Sequence, residues 1–180
     1  MKTLVILTHP DMENSKTNKR WKEELLKYPE EITVHDLYEE YPDEKIDVEK
    51  EQKLLEKYEH IIFQFPLYWF NVPGFLKKWL DKVLLLGWAY GPEGDKMKNK
   101  KIGLAVTVGG KEEYYSHTGA NHFSINEILI PIRNSIRYVD AVELPYYAIF
   151  GASPIAVPPI TEKQMNESAE KYIEYIRKNR

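Results

Sequence analysis

Phe63-Gln-Phe-Pro-Leu-Tyr-Trp-Phe-Asn-Val-Pro-Gly-Phe-Leu-Lys-Lys-Trp-Leu-Asp-Lys-Val-Leu-Leu-Leu-Gly-Trp-Ala-Tyr-Gly91 is the stretch that decides the fold. It opens as an apolar strand over Ile61–Phe65 and runs into a Pro66–Phe70 turn crowded with aromatics. A helix follows. Val72, Phe75, Leu76, Trp79, Leu80, Val83 and Leu84 recur with the spacing of one helical face. Asn71 suits its N-cap, Pro73 its first turn, and Gly87 lies just past its end. Large rings therefore gather at the carboxyl end of a strand, where open α/β sheets bind ligands.

The same alternation extends in both directions. Thr3–Leu7 is a continuous apolar run, which marks a strand covered on both faces. A polar loop over His9–Asn18 follows, then a helix carrying Trp21, Leu25 and Leu26 that ends near Pro29. Ile32–His35 reads as the second strand and residues 36–46 as an acidic, tyrosine-rich loop. Asp47 caps a helix bearing Val48, Leu54, Leu55 and Tyr58. Ile102–Val108 is the fourth strand, closed by Gly109-Gly110, and a fifth lies within Val139–Ile149. Ser124-x-x-Glu127 has the form of a capping box, although Pro131 delays or kinks that helix. Thr161-x-x-Gln164 is a second box, ahead of a helix buried through Met165, Ala169, Tyr172, Ile173 and Ile176. Strict β-α alternation implies a three-layer α/β/α sandwich around a parallel sheet. Five strands favour the flavodoxin-like order 2-1-3-4-5 in one domain over residues 1–180.

Composition bounds the function. The 180 residues carry a net charge of −3, which is not the basic footprint of a nucleic-acid binder. The chain has no cysteine, which excludes disulfides, thiolate catalysis and cysteine-held metals, and fits a reducing compartment. No apolar run approaches membrane-spanning length. No Walker lysine motif and no GxGxxG follow the first strand, and no GxSxG elbow is present. No His, Asp and Glu spacing resembles a metal site.

Three loops meet at the same sheet edge. The first, with His9, Ser15, Thr17 and Asn18, lies where a helix N-terminus would hold phosphate. Taken alone, it is better explained by Ser15 or Asn18 capping the helix. The second, Pro66–Phe70, suits a planar ring, although such aromatics also pack cores and dimer interfaces. The third, Thr107 to Gly110, allows close backbone approach, although a Gly-Gly turn needs no ligand. Together the three fit a ligand the size of flavin mononucleotide. Tyr114, Tyr115, His117, Asn121 and His122 follow as a polar wall.

The stretch Gln64–Gly91 strongly resembles the signature of the flavodoxin-like NAD(P)H:quinone oxidoreductases. His9-Pro10, Ser15–Arg20 and Thr107-x-Gly109-Gly110 match further family loops in order. Tyr41-Pro42-Asp43, Ile46-Asp47 and Glu51-Gln52 resemble the branch of ancillary proteins of glutathione-gated potassium efflux. The resemblance implies FMN, or alternatively FAD, as cofactor, with NAD(P)H as co-substrate and a quinone or other small electrophile as acceptor. It implies two-electron hydride transfer by a ping-pong mechanism. His9, Ser15, Thr17 and Asn18 would hold the phosphate. Pro66, Leu67, Tyr68, Trp69 and Phe70 would line the ring, and Thr107, Gly109 and Gly110 would complete its site. Tyr115 falls at the family's catalytic aromatic. The family's companion histidine falls at Asn121, so either His122, one residue later, substitutes as the catalytic candidate or the chain lacks that proton-relay histidine. Gly87–Gly91 matches a loop near the substrate mouth and dimer partner. A cytoplasmic homodimer is implied. The alternative function is a regulatory subunit bound to a potassium-efflux transporter, placed peripherally at the inner membrane face.

Overall fold

The computed structural model describes residues 2–153, 155–156 and 158–180. Three long parallel strands form its centre: β1 (Thr3–Leu7), β3 (His60–Pro66) and β4 (Lys101–Thr107). β2 (Ile32–Asp36) pairs with the far side of β1. β5 (Val142–Glu143) and β6 (Tyr147–Ile149) both pair with β4. The strand order is β2-β1-β3-β4-β5, as the alternation predicts. The expected single fifth strand is in two pieces. Pro145 lies in the break and has no N–H to give the ladder.

Each central strand splits its side chains between two cores, as the two-residue repeat of a strand requires. Leu4, Ile6, Ile61, Phe63, Phe65, Leu104 and Val106 face one way. Val5, Ile62 and Ala105 face the other. The first core is covered by α3 (Val48–Glu56), α4 (Gly74–Val83), α5 (Ile125–Ile128) and α6 (Ile130–Tyr138). The second is covered by α1 (Thr17–Leu25) and α7 (Glu162–Asn179). α4 buries Phe75, Leu76, Trp79, Leu80 and Val83, while Val72 and Leu84 at the ends of the stripe are half-buried. Each buried side chain of this kind stabilises the fold by roughly 1.5–3 kcal/mol.

Several boundaries differ from the sequence expectation. Pro73, not Asn71, occupies the N-cap position of α4. The Asn71 side chain instead accepts from the Val72 N–H at 2.8 Å. Residues 36–46 are not wholly loop. Asp36 accepts from the Tyr38 and Glu39 N–H groups and starts a single turn, α2 (Leu37–Glu40). The Ser124 capping box forms and begins α5, and Pro131 then sits in the first turn of a new helix, α6. Leu26 is exposed because α1 ends one residue earlier. The Asp47 cap and the Thr161 capping box form as expected.

A buried carboxylate ties the elements of one face together. Glu51, on α3, is 0% exposed. It meets His35 Nε2 of β2 at 2.9 Å and accepts from Tyr41 OH at 2.7 Å and Trp79 Nε1 of α4 at 2.8 Å. Next to it, the Gln52 side chain donates to the Val83 carbonyl at 2.9 Å and so caps the C-terminal end of α4. The Tyr41–Gln52 motif thus fastens α3 and α4 to the sheet.

Candidate active site

The carboxyl ends of β3 and β4 finish level, and β1 ends two residues short of them. Leu7 pairs with Gln64, and Pro66 with Thr107. The three loops leave this edge side by side, at the point where the strand order turns between β1 and β3. Between them lies a cavity of about 460 Å³. Nine of the predicted cofactor residues line it: His9, Ser15, Thr17, Asn18, Pro66, Leu67, Tyr68, Thr107 and Gly109. Trp69, Phe70, Gly110, Tyr115 and His122 do not.

One end of the cavity suits an anion. α1 begins at Lys16 without any side-chain cap. The first N–H groups of a helix have no acceptor within it and carry the positive end of its dipole. Neither Ser15 nor Asn18 caps the helix, so the capping explanation of this loop does not hold. Thr17 Oγ1 is buried here and has no partner among the described residues. A buried hydroxyl left unpaired costs about 1–3 kcal/mol, and Thr17 lines the cavity, where a bound oxyanion would satisfy it.

His9 is buried beside it. Its Nδ1 accepts from the Asp11 N–H at 3.1 Å, which leaves the proton on Nε2. Burial holds the imidazole below its ordinary value, outweighing the nearby Asp11 and Asp36 carboxylates. His9 is therefore a neutral donor at pH 7. The Asp11 carboxylate lines the cavity too, but it is occupied by Asn14, whose side-chain amide lies 3.0 Å away. That bond holds the Asp11 carboxyl below its usual range.

Asn18 does a different job from the one expected. Its side-chain N–H₂ donates to Thr107 Oγ1 at 2.8 Å, and its Oδ1 accepts from Gln64 at 3.2 Å. Its amide therefore stitches α1 to β3 and β4 and sets the height of the helix end above the sheet. Thr107 in turn accepts the Leu67 N–H on its carbonyl at 2.8 Å, which pins the aromatic loop.

The aromatic loop is a tight hairpin. Tyr68 and Asn71 exchange two backbone hydrogen bonds of 3.0 Å across Trp69 and Phe70. Both central residues have positive φ, +48° and +59°. This is the form of a turn that favours Asn-Gly, occupied here by two bulky rings. Trp69 is 95% exposed and Phe70 half exposed, while Tyr68 turns back to meet the His9 ring edge-on at 6.2 Å.

Lys16, Ala152 and Ser153 complete the cavity wall, and the sequence reading missed all three. Ala152 N donates to the Val108 carbonyl at 2.9 Å, which brings residues 151–153 over the β4 loop. A methyl group on Gly109 would sit 3.2 Å from Ser153 Cβ, so the glycine permits this approach. A contact between residues more than forty apart has no local signature. Lys16 was legible as the cation at the start of the helix.

Tyr115 and His122, the two catalytic candidates, lie outside the cavity lining. Tyr115 lies against Gly110, with its ring 5.6 Å from Phe150. Burial pushes its hydroxyl up, opposed by the Gly110 N–H and the Asn121 side chain. His122 is exposed and sits in the left-handed region at φ +59°.

Comparison with known proteins places the chain. Residues 1–176 match the Flavodoxin_2 family, flavodoxin-like fold, and the chain belongs to that family. It is 48% identical over 176 residues to general stress protein 14 of Bacillus subtilis, covering 98% of this chain and 97% of that one. It is 44% identical to the same organism's uncharacterized NAD(P)H oxidoreductase YdeQ, over 98% of this chain and 86% of that one. KefG of Enterobacter sp., a glutathione-regulated potassium-efflux system ancillary protein, is 39% identical over 72% of this chain and 70% of its own. Among solved structures, general stress protein 14 of Treponema denticola in complex with FMN superposes with a TM-score of 0.93. It has 37% identity and both chains are covered in full. An NADPH-quinone reductase of P. pentosaceus superposes with a TM-score of 0.85 at 26% identity, covering 100% of this chain and 98% of that one.

Proposed function

We propose that this chain is an FMN-dependent NAD(P)H:quinone oxidoreductase working by a ping-pong mechanism in the cytoplasm. One observation carries the reading. An uncapped helix N-terminus, a buried Thr17 hydroxyl without a partner among the described residues and a neutral His9 donor converge at one end of the cleft. That donor set fits a phosphate, and Pro66, Leu67 and Tyr68 with the Thr107–Gly109 backbone fit a planar ring beyond it. The relative in complex with FMN and those named as NAD(P)H oxidoreductase and NADPH-quinone reductase support the same reading.

When bound, FMN supplies the capacity to accept and release electron pairs. The chain's own residues do the rest. Thr17, Ser15 and His9 Nε2 hold the phosphate. Asn18 fixes the helix end through Thr107 and Gln64. The 66–68 backbone and Gly109 orient the ring. Gly110, Trp69 and Phe70 stand at its open side, where a quinone or other electrophile enters, and Tyr115 offers a hydroxyl there. Trp69, Phe70, Leu86, Ile130 and Tyr138 are large apolar side chains left exposed, and a second copy of the chain covers them.

The regulatory alternative rests on the KefG likeness. Tyr41 and Glu51 are buried and Gln52 caps α4, so within this motif a transporter contact would fall to the exposed Pro42, Asp43 and Asp47. No helix among the described residues is long and apolar enough to cross a membrane.

Thr17→Val tests the cofactor reading. The wild type should purify with visible flavin bands that NAD(P)H bleaches. The variant should bind FMN about tenfold more weakly, the loss of one hydrogen bond to a charged group. Its apoprotein should be no less stable, because the lost hydroxyl had no partner. Equal FMN affinity in the two proteins would sink the phosphate assignment. Intersecting initial-rate lines would sink the ping-pong step.

A further inference from the structure

The sheet has an open edge at β6. This strand pairs with β4 on one side, and no strand among the described residues pairs with the other. The outer side faces a groove of about 640 Å³, which shares no lining residue with the cavity between the three loops. Its floor is one face of α7, where Gln164, Glu167, Ser168 and Lys171 follow at i, i+3, i+4 and i+7. The Tyr147 hydroxyl donates to the Ser168 carbonyl at 2.6 Å and ties strand to helix. At one end the Tyr175 hydroxyl donates to the Pro145 carbonyl at 2.6 Å. At the other the Ile160 N–H donates to the Gly151 carbonyl at 3.1 Å.

The ladder decides which backbone groups face the groove. In a strand the N–H and C=O of one residue point to the same side, and alternate residues point to opposite sides. The Ile149 carbonyl accepts from the Val108 N–H at 2.8 Å, and the register sets Tyr147 beside Ala105 and Ile149 beside Thr107. Tyr147 and Ile149 therefore direct their backbone groups to β4. Ala148 and Phe150 direct theirs to the groove, with no backbone partner among the described residues. Two charges mark the ends. Lys171 lies between Ser168 and Tyr175 on α7, at the Pro145 end. Glu112 lies at the other, close to Gly110, whose carbonyl accepts the Gly151 N–H at 2.9 Å. Both are exposed and form no ion pair among the described residues, whereas Lys111 is drawn to Glu113 at 3.8 Å and Glu167 to Lys163 at 3.9 Å.

We propose that this groove binds an extended peptide segment of a partner protein as an added strand on β6, with an acidic side chain toward Lys171 and a basic one toward Glu112. Outward N–H and C=O pairs on alternate residues are the pattern that another strand's backbone satisfies. From Tyr146 to Phe150 the edge runs about 13 Å at ~3.3 Å per residue, which seats a segment of roughly four or five residues. The backbone of β6 supplies affinity, and the α7 face with Lys171 and Glu112 supplies selectivity. The site is independent of the flavin reading.

The probe is a phage-displayed library of random linear dodecapeptides, panned on the purified protein. Recovered sequences are remade as synthetic peptides and titrated by fluorescence anisotropy. They should carry an acidic and a basic residue roughly four positions apart. Ala148→Pro removes one outward N–H at an edge, where proline is tolerated, and should weaken their binding at least about tenfold. Lys171→Glu should weaken it about fivefold, the scale of one exposed ion pair. Amide hydrogen exchange of the wild type needs no variant, so it decides the matter even if Ala148→Pro fails to fold. The Ala148 and Phe150 amides should exchange at least about tenfold faster than those of Tyr147 and Ile149, and saturating peptide should remove the difference. Ala148 and Phe150 amides as protected as their neighbours in the free protein would overturn the proposal. So would peptides that bind Ala148→Pro as tightly as wild type, peptides that FMN displaces, or the recovery of none.

Discussion

Trp69→Asn should make this protein more stable. Trp69 and Phe70 sit at φ +48° and +59° in a two-residue turn. The left-handed region penalises an ordinary L-residue by roughly 1–2 kcal/mol, and asparagine escapes much of that. The indole offers little in return, since it is 95% exposed. Its buried remainder, on the order of 10 Å², is worth about 0.3 kcal/mol at ~25 cal/mol per Å². The net gain is about 1 kcal/mol. For a chain of this size that raises Tm by roughly 2–4 °C. Thermal unfolding of the apoprotein, at dilutions where sedimentation shows monomer, is the assay. Trp69→Phe keeps the strain and should melt with the wild type. At higher concentration the order should reverse, because the proposed dimer covers the indole. Removing a central aromatic of an interface weakens association by at least about 2 kcal/mol, or roughly 30-fold. If Trp69→Asn melts more than about 2 °C below wild type at every dilution, the indole packs within its own chain and the strain argument fails.

Two further outcomes follow from buried titratable groups. Glu51→Ala strips the partner from His35, Tyr41 and Trp79 and should destabilise the fold by about 3–5 kcal/mol in urea titration; a loss under 1 kcal/mol would refute the network. Hydrogen bonding and the His35 charge together outweigh burial and hold the Glu51 carboxyl below its usual range. Its contribution is therefore present above pH ~4.3, the ordinary glutamate value, and is lost as pH falls through the lowered one. His60 lies at 0% exposure at the start of β3, with Nδ1 2.7 Å from Thr3 Oγ1 and Nε2 unpartnered. Burial, with Lys101 and Arg180 adding, pushes it down from 6.5 to about 4. Above the unfolded value both states are neutral and nothing is lost. Between pH ~6.5 and ~4 the unfolded chain alone takes the proton, so about 3 kcal/mol of stability should disappear across that window. His60→Asn should flatten this loss in denaturant titrations run at several pH values. An unchanged slope would show that another group drives it.

The fold was largely legible because its signals are local. The α4 stripe, the apolar runs of β1, β3 and β4, and the boxes at Ser124 and Thr161 are patterns within a dozen residues, and backbone geometry reads them directly. Boundaries that depend on one missing donor, such as the break at Pro145, were only half visible. The three loops of the site were also legible, because strand order alone sends them to one edge. The sequence by itself determined that phosphate-suited, ring-suited and glycine-rich segments converge. Only the tertiary structure decided which side chains serve the cavity and which serve the scaffold. Asn18 lines the cavity, and its side chain also stitches α1 to β3 and β4. Tyr41, Glu51 and Gln52 looked like a partner signature and lock α3 to α4. Ala152 and Ser153 gave no signal and form a wall. His122 was a catalytic candidate and is exposed, outside the lining of the cavity. The reason is common to all of them. A polar side chain's role is set by which partner lies within about 3 Å, and for these residues that partner is chosen by how the loop turns or by contacts far away in the chain.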